Sequence, residues 1–160
     1  MEYCSPDIIA NDALLTVPDA NLAVFSILMS KAFNSWNRTV SGRLKSDMRI
    51  SQEITYNNFP LRALSGDEKA NLEKMGQTIL DARAKFEDAT LADLYGPTSM
   101  PLELLRAHQV NDRAVLKLFG LKADASHDII LTKLFESYDE MTSGVLEQTI
   151  VNGHRKSKAI

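Results

Sequence analysis

Arg43, Lys45, Asp47 and Arg49 occupy every second position in the stretch Val40–Ser51, and Leu44, Met48 and Ile50 alternate with them. A period of two is that of a strand, so the spacing predicts an extended ribbon over Arg43–Ile50, cationic on one side and apolar on the other. Lys31, Arg38, Arg43, Lys45 and Arg49 have only Asp47 among them as an acid, a local surplus of four positive charges in a chain of net charge −3. A face of this kind can hold phosphates. The same residues could equally solvate an edge strand and keep it from pairing with other chains. On one strand, Lys45 and Asp47 would share a face, roughly 6.6 Å apart. Lysine only donates hydrogen bonds and aspartate only accepts them. Guanine presents the acceptors N7 and O6 in the major groove, and its cytosine presents the N4 donor. Lys45 and Asp47 are therefore chemically matched to one G·C pair, and Arg43, Arg49 and Arg38 suit the DNA backbone.

Other chemistry is sparse. The seven glycines are scattered, with no phosphate-cradling loop among them, and His108, His127 and His154 are too far apart in sequence to suggest a metal site. Asp81 and Glu87 have lysines and arginines nearby and read as solvated helix-surface pairs. Cys4 is the single cysteine, so no internal disulfide can form, and it has no base beside it. Asn57-Asn58-Phe59-Pro60 lacks the double proline of an amino-methyltransferase loop and is not read as catalytic. No stretch approaches the ~20 apolar residues of a membrane span. Glu2 and Tyr3 do not open a signal peptide, and a cytoplasmic location is expected. On the residues alone the chain is not an enzyme, and no cofactor is expected in it.

The elements that must position the ribbon follow from periodicity. Residues 7–17 predict a strand or hairpin piece ending at Pro18. Asp19 is a candidate N-cap for one amphipathic helix carrying Phe25, Leu28, Met29, Ala32, Phe33 and Trp36. Residues 54–60 predict a second extended piece. From Ser65 the pattern is helical throughout. Ser65 with Glu68 has capping-box spacing, and Leu72, Met75, Ile79, Ala82 and Phe86 form the stripe that follows. A short turn of helix starts at Thr90. Pro101 opens a helix whose apolar face is Ala107, Val110, Ala114, Leu118 and Leu121, with Gly120 at its end. A last helix from about Ser126 carries Ile130, Leu134, Tyr138, Met141 and Val145, and the end from His154 reads as basic and frayed. The expected fold is mainly α with a small β portion (α+β). Short N-terminal strands, one apolar helix and the basic ribbon precede a helical domain of three to four helices.

The segment from Phe25 to Pro60 resembles part of the large adenine-specific DNA methyltransferases, which include the MmeI-like (type IIL) restriction–modification enzymes. The resemblance is carried by Trp36, Gly42-Arg43-Leu44, Arg49, Ser51 and Tyr56-Asn57-Asn58-Phe59-Pro60, and by the stretch Ile79–Gly120, which resembles the family's C-terminal helical region. Met48 and Ile50 depart from the pattern, which often has aromatics there. The resemblance implies that residues 1–60 end a target recognition domain and that residues 61–160 form a C-terminal helical domain. It also implies that Lys45 and Asp47 help choose a base pair of the target. The chain is accordingly expected to be a C-terminal piece of a longer enzyme that methylates adenine N6 with S-adenosylmethionine. Its implied partners are double-stranded DNA and the parent's methyltransferase domain, with no membrane. The alternative is a structural helical module with a solvated cationic edge.

Overall fold

The structure, a computed structural model, describes residues 1–4, 7–11, 14–44, 47–96 and 98–156; for 43–49 and from 144 onward it describes the backbone alone. Its elements run α1 (Leu22–Leu28), α2 (Lys31–Val40), β1 (Gly42–Leu44), β2 (Asp47–Arg49), a π-helical turn (Gln52–Tyr56), α3 (Gly66–Ala84), α4 (Leu91–Leu94), α5 (Leu102–Leu118) and α6 (His127–Lys156). The chain is mostly helical. The expected small β portion, with its N-terminal strands and second extended piece, is not supported. The described residues within 7–17 form no strand, and the start of the second extended piece is a turn of π-helix instead. Among the described residues, extended pairing is confined to Gly42–Leu44 and Asp47–Arg49.

The single helix expected from Asp19 is two helices. Asp19 sits at φ 53°, outside helical angles, and Asn21 caps α1 by accepting from the Val24 N–H at 3.1 Å. The break falls at Ser30. Its Oγ donates to the Ile27 carbonyl at 2.6 Å and accepts from the Phe33 N–H at 3.2 Å, closing one helix and opening the next. The Lys31 N–H, left without an intrahelical acceptor, donates to Asp112 Oδ1 at 2.6 Å.

The helical part matches its expected outline. Ser65 and Glu68 form a capping box at α3, and Thr90 and Asp93 form another at α4. Arg62 reinforces the first with a bidentate pair to Glu68, and together with the Ser65 N–H it holds that carboxyl down at about 2. Pro101 stands at the N-cap of α5, one residue outside the first turn, where its missing N–H costs nothing. Gly120 ends that helix at φ 70°, as a left-handed C-terminal stop requires. The helix α6 continues through His154 to Lys156, further than the basic end of the sequence suggests.

The buried face of α5 is rotated from the one expected. Leu104, Ala107, Asn111, Val115 and Leu116 are buried, whereas Val110 is 44% exposed. Asn111 is the reason: its Nδ2 donates to the Ser26 carbonyl at 2.9 Å, and its Oδ1 accepts from the Ser26 hydroxyl at 2.5 Å. A fully satisfied amide can lie on a core face that apolar periodicity assigns to carbon alone.

Two apolar clusters hold the molecule. One joins Ile27 and Trp36 to Leu72, Val115, Leu116, Phe119, Ile130 and Leu134, so residues before and after position 60 share a core. The other joins Phe25 to Ile79, Ala82, Leu94, Leu104 and Ala107. Helices α1 and α3 meet so closely at Gly76 that a Cβ there would lie 2.6 Å from the Leu22 carbonyl oxygen.

Candidate nucleic-acid interface

The cationic stretch is a hairpin and not a single strand. Strands β1 and β2 pair antiparallel, with Gly42 opposite Arg49, Arg43 opposite Met48 and Leu44 opposite Asp47. Gly42–Leu44 and Asp47–Arg49 thus run in opposite directions. Asp47 opens β2. Lys45 itself lies outside the described residues. Arg43 and Arg49 take positions on the two strands, and Arg38 is exposed in the last turn of α2, four residues before the ribbon.

The base of the ribbon is held by a compact set of polar contacts. Trp36 points its indole N–H at the Thr55 carbonyl, 3.0 Å away. The Thr55 hydroxyl is fully buried and reaches both sides of the hairpin: it bonds the Ser41 hydroxyl at 2.7 Å and accepts from the Ser51 N–H at 3.4 Å. Ser41 also bonds Asn37. Ser51 caps the π-helical turn through the Ile54 N–H at 2.9 Å, and Asn58 donates to the carbonyls of Glu53 and Ile54. Phe59 then anchors the returning chain, its ring 5.3 Å from Phe33 and 5.9 Å from Phe119, centroid to centroid. Asn58 and Phe59 of the Asn-Asn-Phe-Pro stretch thus act as a clasp for the loop.

Sequence reasoning did not single out Thr55, Ser41 or Asn37. Their partners lie 4–19 residues away, and no periodicity marks them.

A second polar cluster lies against α1, α3, α4 and α5. Arg83 stacks on the rings of Tyr95 and Phe25, at 5.0 and 5.4 Å to the centroids, and donates to the Tyr95 hydroxyl at 2.9 and 2.7 Å. Since arginine has no acceptor, the tyrosine proton is free to go to His108 Nε2, 2.6 Å away. Burial, aided by the Arg83 charge, pushes the His108 pKa down to about 4, against a hydrogen bond to the Met29 backbone that works the other way. His108 is thus a neutral structural side chain. Among the described residues no group of His, Cys, Asp and Glu could hold a metal ion, and no helix is long and apolar enough to cross a membrane.

Comparison with known proteins gives this geometry a context. Residues 1–63 match the family model described as the MmeI target recognition domain, and residues 64–146 match that of the MmeI C-terminal domain. The chain is 37% identical over 142 residues to DNA methyltransferase A of Bacillus subtilis (strain 168), a match covering 89% of this chain and 16% of that protein. It also resembles the type IIL restriction–modification enzyme MmeI, whose structure was solved in complex with DNA. That match has a TM-score of 0.76 at 39% identity and covers 79% of this chain and 17% of that one. The chain therefore spans about one-sixth of the length of either relative. With more than half of its residues matched by the C-terminal model and most of the remainder by the recognition model, the chain belongs to the MmeI family.

Proposed function

We propose that this chain helps a site-specific adenine-N6 DNA methyltransferase read its target. Residues 1–60 would end the recognition domain, and residues 61–160 would form the C-terminal helical domain. The observation that carries the reading is the match of residues 1–63 to a target recognition domain, within which the cationic hairpin falls. A two-stranded ribbon is narrow enough to enter the major groove. Lys45 and Asp47 of this stretch are assigned to a G·C pair, lysine to guanine and aspartate to cytosine N4. Arg43, Arg49 and Arg38 are assigned to the backbone. The shared core that ties Trp36 to Val115 and Ile130 supports a second, bracing role for the helical domain, against the methyltransferase domain of the longer enzyme.

The methyl donor of such an enzyme would be S-adenosylmethionine, and the cleft beside α2 does not fit it. The sizeable cleft beside α2 presents Lys31 and Arg38 to a cofactor whose sulfonium and amino groups are themselves cationic, and the acid there, Asp112, already accepts from the Lys31 backbone. The cofactor is therefore assigned to other parts of the longer protein.

The test uses a full-length MmeI-like enzyme carrying this chain. Lys45→Glu alone sets two carboxylates before a guanine that offers only acceptors, and activity should fall on every substrate by the roughly 1–3 kcal/mol of one good base contact or more. Lys45→Glu with Asp47→Arg should restore activity on sites bearing C in place of G. Sequencing the methylated adenines decides it. A double variant that still methylates only the original G-containing site would remove base reading from this pair.

A further inference from the structure

Beside α2 lies an open cleft of about 600 Å³, lined among others by Lys31, Asn34, Ser35, Arg38, Asp112 and His127. Residues 31, 34, 35 and 38 follow helical spacing, so one face of α2 supplies four of these side chains, over about 10 Å of its axis. Ser35 is buried, and its hydroxyl lies 3.0 Å from His127 Nδ1, which fixes the ring at the start of α6. The first residues of that helix add the positive end of its backbone dipole. Lys31 Nζ donates to the Ala125 carbonyl at 2.8 Å, which holds the ammonium at the cleft wall with two protons to spare. Arg38 is exposed and has no partner among the described residues. Asp112 is the opposing charge, partly occupied by the Lys31 N–H.

We infer that this cleft takes one phosphodiester of the DNA backbone, held by Arg38 and Lys31, with His127 and Asn34 as further hydrogen-bond donors. The inference rests on the DNA-reading role proposed above and extends it from the ribbon to the face of the helix that carries the ribbon. Helix α2 leads from the cleft directly into β1, so one rigid element would place the hairpin in a groove and the cleft on the adjoining strand. The carboxylate of Asp112 keeps the site weak by itself, as suits a contact that positions a duplex without reading it.

The experiment measures binding of the full chain to a short labelled duplex from about 50 to about 200 mM salt. Arg38→Gln, which breaks no internal contact among the described residues, should weaken binding and flatten the log–log salt slope by about 1. Lys31→Gln should do the same, and Asp112→Asn should tighten binding about threefold at low salt by removing a repelling charge. If Arg38→Gln and Lys31→Gln keep the original slope while Arg43→Gln flattens it, the cleft inference is wrong and the DNA reading stands. If the unaltered chain does not bind the duplex at low salt, the reading fails and takes the inference with it. A parallel titration with inorganic phosphate separates the sources: amide NMR signals of Asn34 and His127 that move with phosphate but not with duplex would mark a free-anion site and overturn the assignment to DNA.

Discussion

The base of the ribbon and the junction of α1 with α5 solve the same problem differently. Around Ser26 and Asn111, two side chains from separate helices satisfy each other inside an apolar surround, and the hydrogen bonds add to a fit that carbon packing already defines. At the ribbon, Thr55, Ser41 and Ser51 lie beside a hairpin with three paired residues on each strand. Among the described residues Trp36, Val40 and Phe59 pack against the apolar core, and the chain on either side of the hairpin is tied by hydrogen bonds. Packing makes the frame, whereas polar contacts aim the segment that would meet DNA. Removal of a polar atom should therefore cost global stability in the first region and local order in the second.

The largest effect is expected in the frame. Asn111→Ala leaves the buried Ser26 carbonyl and hydroxyl without their partner, and chemical denaturation should show a loss of about 2–3 kcal/mol. A loss below the error of the measurement would mean that the helices close over the gap and that Asn111 does not define their fit.

An intermediate effect follows from pH. The unfolded chain binds a proton at His108 near pH 6.5, but the folded one binds it only near pH 4. Stability from this site is complete above about pH 6.5, is lost as the pH falls towards 4, and levels off below that. With allowance for solvent screening at a half-buried ring, the loss should be about 1–2 kcal/mol. His108→Gln should flatten the profile in that window; an unchanged slope would place the titration elsewhere.

The smallest global effect should come from the ribbon. Thr55→Val keeps the shape and removes the hydroxyl shared by Ser41 and Ser51. It should cost about 1 kcal/mol globally, yet amide exchange at residues 41–51 should accelerate well beyond that of α3 or α5. Uniform acceleration through the chain would erase the contrast between the two regions.

What was legible in the sequence follows the same division. The capping box of α3 and the start of α4 at Thr90 could be read because the signal lies within four residues. The residues of the clasp, Ser51, Asn58 and Phe59, were visible through family resemblance, although their work was not. The break at Ser30 was hidden, because apolar spacing from Phe25 to Trp36 runs straight across it and one of its fixing partners, Asp112, is 81 residues from Lys31 in sequence. The buried face of α5 was misjudged because its central residue is an amide. The antiparallel pairing of Gly42–Leu44 with Asp47–Arg49 was not read, because the sequence has no glycine or asparagine between Leu44 and Asp47 and the alternation of charges read as one continuous strand.

The central claim, that the hairpin and the exposed face of α2 meet DNA, is tested most directly by titrating the labelled full chain with a duplex at low salt and following its amide NMR signals. The account predicts that the largest shifts fall in residues 38–51, accompanied by Lys31, Asn34 and His127, while the solvent face of α3 stays still. Shifts concentrated on α3 or α6 with residues 38–51 unmoved would contradict it and leave the ribbon a solvated cationic edge.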